Sequence, residues 1–515
     1  MRELGTPTTL ADLCLERARS HAGRPVVVDG EATVTYADLG TRATAVAALL
    51  GERGIGPGDR VALQGRNSTR WVVAAFGVLL SGAALVPIGH GASRLERAHV
   101  LEAIDPILLI HDDDLPDTDV IPAVSLSDVA APTPSAAPTP STGTATSTPS
   151  TCTTPSTLPL IDPDAPALVL SSSGTTGAVK SVPMTHRQLL RLYGDVTEVM
   201  GIVETDRFLG AVPLAHSFGF NGLLLVAMIA GASLRLLPAY ERDQLAAVVG
   251  AEEVTVLAGP PTIYHDLQDA GPLPHVRIAI AGGQLVAVRE LLGVAEALQI
   301  AELVIGYGMT ETSGTVAICR IPVQGHPTPA PERAPMSPMP GVEMRISADD
   351  PLAPTAPIPV GEVGRLAVRG YNIALPQGTR LREADEGWFE TGDLGFLDDQ
   401  GRITVVGRSS DMLIVSGFNV HPGDVETVLA SHPDVIQVAV TGIPDRRRGQ
   451  CLVAFVVGRG TGLDVDELDR FAREHLSAFK APQAYHLVDE LPLTNTGKLA
   501  RSRLRELAVT WAAPQ

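Results

Sequence analysis

Short apolar runs recur along the first part of the chain, each closed by a glycine or an acidic residue: VVVDG at 26–30, RVALQG at 60–65, ALVPIG at 84–89 and ILLIHD at 107–112. Segments with helical spacing lie between them. That alternation predicts parallel strand–helix–strand units. One stretch, Trp71 to Ile88, is almost long enough to cross a bilayer. Ser81-Gly82 interrupts it and Pro87 ends it, so the pattern predicts a buried helix, a turn and a short buried strand. The alternation resumes at ALVLSSSG, 167–174, and continues to about residue 320.

Three segments break the pattern. Residues 131–160 are a Pro/Thr/Ser/Ala tract with too little apolar mass to pack, and read as a disordered surface insertion within the α/β body. Residues 321–360 are proline-rich and read as irregular. From 361 to 408, GEVGRLAVRG and GDLGFLDDQGRITVVGR predict short strands with tight turns, a β-rich subdomain. Beyond Asp411 a new strand–helix–strand–helix unit begins. The expected architecture is α/β: a large N-terminal domain, 1–410, of α/β layers plus the β-rich subdomain, then a small α+β domain, 411–515.

Charge narrows the partners. The formal net charge is −19, which opposes binding to nucleic acid or to an anionic membrane. Four scattered cysteines with no CxxC pair read as reduced thiols, and the N-terminus lacks the basic and apolar regions of a secretory signal, so a cytoplasmic protein is expected. Of the 39 basic residues only Lys180, Lys480 and Lys498 are lysines. An ammonium is a compact point charge where a guanidinium is a broad planar fork. Lys180 and Lys498 sit in glycine-punctuated loops, where one small cation can reach one crowded oxygen. Lys480, in FKAP, is open between packing and a ligand contact.

The strand-like ALVL runs into Ser171-Ser172-Ser173-Gly174-Thr175-Thr176-Gly177-Ala178-Val179-Lys180. Glycines let backbone N–H groups close on an anion, and hydroxyls add donors. The spacing is neither a Walker A loop nor a nucleophile elbow. By itself such a turn is most often only a loop.

SSSGTTGAVKSVPMTH resembles the phosphate loop of the adenylate-forming superfamily, which includes acyl-CoA synthetases, peptide-synthetase adenylation domains and beetle luciferases. Four more motifs follow in that family's order: AVPLAHSFGF at 211–220, IGYGMTET at 305–312, GWFETGDLGFLDDQGRITVVGRSSDMLIVSGFNVHPGDVE at 387–426, and LPLTNTGKLAR at 491–501. The resemblance spans about 30 to 505.

The resemblance implies two half-reactions. A carboxylate attacks the α-phosphate of Mg-ATP to give an acyl-adenylate and pyrophosphate, and a thiol of coenzyme A or of a carrier protein then displaces AMP. Electrostatic stabilisation dominates such chemistry. The 172–180 loop, from Ser172 and Ser173 through Gly174, Thr175, Thr176 and Gly177 to Lys180, would hold the β- and γ-phosphates. In Gly306-Tyr307-Gly308-Met309-Thr310-Glu311, Tyr307 would stack on adenine, Thr310 would donate to phosphate and Glu311 would bind Mg²⁺. Gly282-Gly283-Gln284 is open between an adenine wall and a tight turn. Asp393 would accept from the ribose hydroxyls, or be a turn aspartate. Arg408 would reach ribose or phosphate. Lys498 would be the catalytic lysine of the small domain, Asp411 the hinge, and Ser416-Gly417-Phe418 the lining of the thiol tunnel.

His216 matches the gate between acid and thiol sites. Amino-acid-activating relatives carry an aspartate one residue later, where this chain has Ser217, so an amino-acid substrate is not expected. Leu214, Phe218, Phe220 and LLLVAMIAGA suggest a pocket for an apolar carboxylic acid, fatty, aryl or polycyclic. The hinge run is most similar to fatty acyl-CoA ligases, which favours CoA over a carrier protein. Val179-Lys180-Ser181 departs from the family's Pro-Lys-Gly. That leaves open an enzyme confined to the thioester-forming half. A luciferase-type oxygenase and a non-catalytic nucleotide binder are further readings. Low aromatic content counts against the first, and the set Lys180, Glu311 and Lys498 against the second.

Overall fold

The computed structural model describes residues 6–30, 32–115, 120–130, 158–173, 179–210, 212–237, 242–282, 288–325, 331–348, 358–376, 387–411, 413–415, 418–420, 422–445, 449–459, 463–494 and 499–512. The chain divides into two compact units. The first is Met1–Ala258 with the short segments Met309–Gly314 and Ala374–Thr379; the second is Gly259–Gly308, Thr315–Ile373 and Arg380–Gln515.

The first unit is built on two sheets. One has the order Ala123–Ser125, Leu108–His111, Arg60–Gly65, Ala84–Gly89, Pro166–Ser173, Val179–Thr185, parallel except for its last pair. Leu85 faces Leu168, so the strand after the Pro/Thr/Ser tract rejoins the sheet that precedes it. The tract itself lies outside the described residues from 131 to 157. The VVVDG run does not join this sheet. Pro25–Asp29 forms a hairpin with Ala32–Thr35 and pairs in parallel with Ser233–Leu236, which neighbours Arg207–Gly210 and then Val256–Gly259. Strand alternation along the sequence fixes the strands but not the sheet that each joins.

Helix Thr69–Ser81 is the expected buried helix. Ser68 caps it by accepting from Trp71 N, and Gly82 ends it at φ 85°, before strand Ala84–Gly89. All its residues but Arg70 are buried. A Cβ on Gly77 would lie 2.3 Å from Val46 Cγ1, so only glycine lets this helix cross Tyr36–Glu52 so closely. No described helix is long and apolar enough to span a membrane.

In the second unit, Ile278–Gly282 and Glu302–Met309 run parallel, and Gly314–Pro322 neighbours the latter. The stretch 321–360, read as irregular from its prolines, is strand in part of its described residues. It contains Ser337–Pro338, paired with Ala317 and Ile318, and Val342–Ser347. The latter opens the β-rich subdomain, an antiparallel meander with Gly364–Gly370, Phe389–Leu397 and Ile403–Arg408.

The C-terminal sheet has the order Phe418–Val420, Leu413–Val415, Gly449–Gly458, Val435–Asp445, with Ala484–Leu487 beside Gly449–Gly458. Period-two alternation gives it two apolar faces. Leu452, Ala454 and Val456 pack with Val425, Leu429, Leu468 and Ala472 of helices Pro422–Ala430 and Val465–His475. Val453 and Phe455 pack with Leu504 and Ala508 of Arg501–Ala512.

Candidate active site

In the second unit, Glu302–Met309 delivers Tyr307 beyond its pairing with Ile278–Gly282. Gly282 faces Gly306, and a Cβ at 282 would stand 3.1 Å from the Gly306 carbonyl. The Tyr307 hydroxyl donates to Asp393 Oδ2 at 2.6 Å. Arg408, the cross-strand partner of Asp393, places Nε 3.2 Å from Oδ1. Thr391 Oγ1 accepts the Asp393 N–H at 3.0 Å and donates to Leu366 O. Asp393 is buried, and burial raises its carboxyl above the usual range; the Tyr307 hydrogen bond and Arg408 act the other way. Burial, then the negative Asp393, pushes the Tyr307 phenol well above its ordinary value, so it remains a donor. Asp393 is therefore a fixed acceptor, not a solvated turn aspartate. The phenol tip of Tyr307 is tethered, which fixes where its ring lies.

The strand ends in a short turn, Thr310–Thr312, which belongs to the first unit. Thr312 Oγ1 organises it, accepting from Met309 N at 3.1 Å and lying 2.8 Å from Gly314 O. Ser313 adopts φ 58° and Gly314 φ 107°. The Glu311 carbonyl accepts from Ala374 N at 2.8 Å. Glu311 is half-buried, and among the described residues no ion pair engages its carboxylate. With the Thr310 hydroxyl it offers hard oxygen donors that fit Mg²⁺.

The phosphate-loop motif is a hairpin. Pro166–Ser173 extends past ALVL and pairs antiparallel with Val179–Thr185, so Ser172 faces Lys180 and Ser171 faces Ser181. Lys180 is exposed on the return strand. Ser181 therefore occupies a ladder position where a free φ is not needed, which removes much of the weight of the departure from Pro-Lys-Gly. Gly174, Thr175, Thr176 and Gly177 lie outside the described residues, as do the side chains of Ser172 and Ser173.

His216 precedes a helix, Ser217–Gly219, that continues as a π-helical turn over Phe220–Leu225 and then Val226–Ala230. Such π turns frequently mark functional sites. Asn67 holds the loop before it with both ends of its amide, Nδ2 to Val212 O at 2.9 Å and Oδ1 from Leu214 N at 2.8 Å. His216 and Phe218 are half-buried, whereas Leu214 and Phe220 are core. Phe220 packs on Trp71 and Phe76 at 6.3 and 6.4 Å. Of the three apolar residues expected to line the acid pocket, only Phe218 remains partly accessible.

Residues 14–376 match the AMP-binding enzyme family, and 424–498 match the AMP-binding enzyme C-terminal domain. The chain belongs to the AMP-binding enzyme family. It is 31% identical over 529 residues to the 3-[(3aS,4S,7aS)-7a-methyl-1,5-dioxo-octahydro-1H-inden-4-yl]propanoyl:CoA ligase of Rhodococcus jostii (strain RHA1), covering 97% of this chain and 99% of that one. It is 30% identical to a feruloyl-CoA synthase of an Amycolatopsis species, over 95% of this chain and 97% of the relative. Its fold is similar to ATP-bound MatB from Rhodopseudomonas palustris (TM-score 0.81, 25% identity, 98% and 99% coverage). It is also similar to the o-succinylbenzoate CoA synthetase of Bacillus subtilis with its acyl-adenylate (TM-score 0.79, 25% identity, 96% and 97% coverage). The protein is an AMP-forming acyl-CoA synthetase by type, a carboxylic acid–thiol ligase that uses ATP, Mg²⁺ and coenzyme A.

In this AMP-binding enzyme Asp411, the position expected to be the hinge, ends the turn Ser409–Asp411 and lies 3.5 Å from Arg501 Nε. Arg501 also contacts both Glu426 oxygens at 3.1 Å. Lys480 pairs with Asp424 at 3.2 Å, and Arg333 takes the other oxygen of Asp424 at 2.8 Å. Gly283, Gln284, Ser416, Gly417 and Lys498 lie outside the described residues, as does the side chain of Phe418. Sequence reasoning missed Asn67, Tyr193, Asn221 and Thr391. Asn67 precedes a helix-capping serine and reads as a turn residue; Thr391 lies within the quoted GWFETGDLG motif, which could have found it; Tyr193 and Asn221 carry no local signal.

Proposed function

We propose that the acid is a bulky apolar carboxylic acid without an α-amino group, alicyclic, aryl or fatty, and that the acceptor is coenzyme A. The observation that carries the reading is the gate segment. Ser217 stands where a carboxylate would pair with an ammonium, its hydroxyl is bonded to Asn221 Nδ2 at 3.3 Å, and residues 211–232 contain no acidic side chain. An ammonium brought there would lose hydration without gaining a partner. The bicyclic propanoyl and feruloyl substrates named for the relatives above fit the same class.

In this reading a carboxylate oxygen attacks the α-phosphorus and pyrophosphate leaves. Lys180 and the 172–177 hydroxyls and amides hold the phosphates, Thr310 donates to them, and Glu311 takes the Mg²⁺ of the nucleotide. Asp393 and Arg408 hold the ribose, and Tyr307 and Gly282 to Gln284 bound the adenine. Lys498 brings its ammonium to the developing charge. In the second half the acyl–phosphate bond of the adenylate breaks as the thiolate attacks the carbonyl carbon past His216, along Ser416 to Phe418. Residues 1–410 form the adenylate-forming domain and 411–515 the mobile one. The enzyme works in the cytoplasm, where thiols such as Cys14 and Cys319 stay reduced.

The test is acid-dependent ATP–pyrophosphate exchange on a panel of alicyclic, aryl, fatty and α-amino acids, with CoA consumption followed in parallel. Exchange and thioester with the apolar acids support the reading. Exchange without thioester points to a carrier-protein acceptor. Thioester from a supplied adenylate without exchange points to the second half-reaction alone. Preference for α-amino acids would overturn the proposal.

A further inference from the structure

We infer that Tyr193 and Asn221 are positioning residues that fix the Thr310–Glu311 turn by jointly gripping the Ser313 carbonyl; this rests on the reading that Glu311 holds the nucleotide's Mg²⁺. Tyr193 lies on helix His186–Met200, which is capped by Thr185 and buries Leu189, Leu192, Tyr193 and Val196 along one face. Its hydroxyl donates to Ser313 O at 3.1 Å. Asn221, from the π turn, donates Nδ2 to the same oxygen at 3.3 Å and to Ser217 Oγ at 3.3 Å. One fully buried amide thus joins the gate helix to the turn that carries Thr310 and Glu311.

That turn needs holding. Ser313 sits in the left-handed region at φ 58°, an unfavourable conformation for a residue with a Cβ. Gly314 follows at φ 107°, and a Cβ there would stand 1.9 Å from the Tyr193 hydroxyl and 3.0 Å from Ser217 Oγ. The hydroxyl therefore occupies the space a side chain at 314 would take. Two donors converge on a single carbonyl whose residue has little freedom, with Ser313 and Asn221 both 0% exposed. Glu311 is two residues upstream, and its own carbonyl is tied to Ala374 N. The turn is held at both sides of the carboxylate, so loss of one grip changes where the carboxylate points.

The test is titration calorimetry of ATP at graded Mg²⁺ concentrations on the full chain, for the wild type, Tyr193→Phe and Asn221→Asp, each also carrying Glu311→Gln. Melting temperature and acid-dependent exchange are recorded alongside. Each single variant is expected to raise the half-saturating Mg²⁺ concentration about threefold to tenfold, the size of one lost hydrogen bond. ATP binding in EDTA should be unchanged, and the effect should vanish in the Glu311→Gln background. The inference is overturned if Mg²⁺ dependence is unaltered in Tyr193→Phe, or if the effect persists without Glu311. A fall in melting temperature with wild-type Mg²⁺ dependence also overturns it, by showing a structural role only. If the wild type binds Mg-ATP but activates no acid, the substrate proposal fails while this measurement still decides the clamp. If the wild type binds no ATP, both fail.

Discussion

Tyr307 and Asp393 meet tip to tip, the phenol donating to the carboxylate at 2.6 Å. The contact makes the two residues interdependent in the nucleotide-binding role proposed for them. Tyr307→Phe removes a donor from a buried carboxylate, a loss worth about 1.5–3 kcal/mol. We expect the KM for ATP to rise roughly tenfold to a hundredfold in exchange assays, with a smaller change in kcat.

Asp393 also has a stability consequence. Burial holds its carboxyl above its ordinary value, so the folded chain binds that proton more tightly than the unfolded chain does. The stabilisation this provides is present at low pH and lost as pH rises through the raised value. Asp393→Asn is expected to weaken ATP binding yet melt higher than the wild type at pH 8. That advantage should shrink as pH falls towards the ordinary carboxylate range. Melting curves at pH 8 and pH 5 check both signs.

Lys498 is expected to act on the barrier and not on the fold. One contact between its ammonium and the developing charge, at ~4 Å and an effective dielectric of ~20, is worth about 4 kcal/mol. Lys498→Ala should therefore slow adenylation by roughly three decades, with an unchanged melting temperature. Full exchange in that variant would refute the role.

His186 is fully buried beneath the N-terminal helix, where its Nδ1 accepts from Leu10 N at 3.1 Å. Burial depresses it from 6.5 to about 4. The neutral ring contributes stability that is complete above 6.5 and is lost as pH falls towards 4, about 3 kcal/mol in all. His186→Gln keeps an acceptor and should flatten that part of the stability–pH curve in denaturant titrations.

The 131–157 tract carries composition and no motif. Replacing it with a short Gly/Ser linker should leave exchange activity within about twofold and the melting temperature within a few degrees, because loop closure changes slowly with loop length. A large loss of activity would show that the tract contributes to the site.

The legibility of this chain follows from what is local. The helix over 69–81, its stop at Gly82 and the strand after it were all readable, because an apolar run with a glycine break admits few folds. Tyr307, Asp393 and Arg408, which the structure brings together, were singled out because they lie in motifs that resemble the family's in a fixed order. The hairpin that sets Ser172 opposite Lys180 was not, since glycine and hydroxyl signals mark a turn without fixing the register of its arms. Phe220 read as pocket and proved to be core, because composition cannot tell which face of a wholly apolar helix turns inward. Asn67, Tyr193 and Asn221 stayed hidden for a different reason. Each acts on a backbone carbonyl or amide more than ninety residues away, and such partners leave no periodic trace.

The C-terminal sheet carries helices on both of its faces, with Val425 and Leu468 on one side and Leu504 and Ala508 on the other. A layer wrapped in this way owes its interior to nothing outside itself. The tie from Arg333 to Asp424, which Lys480 shares, is a charged one and not part of either apolar cluster. On the proposed boundary at 411, these residues are expected to behave as a cassette that folds when expressed apart, and a 411–515 fragment without a cooperative melt would refute it.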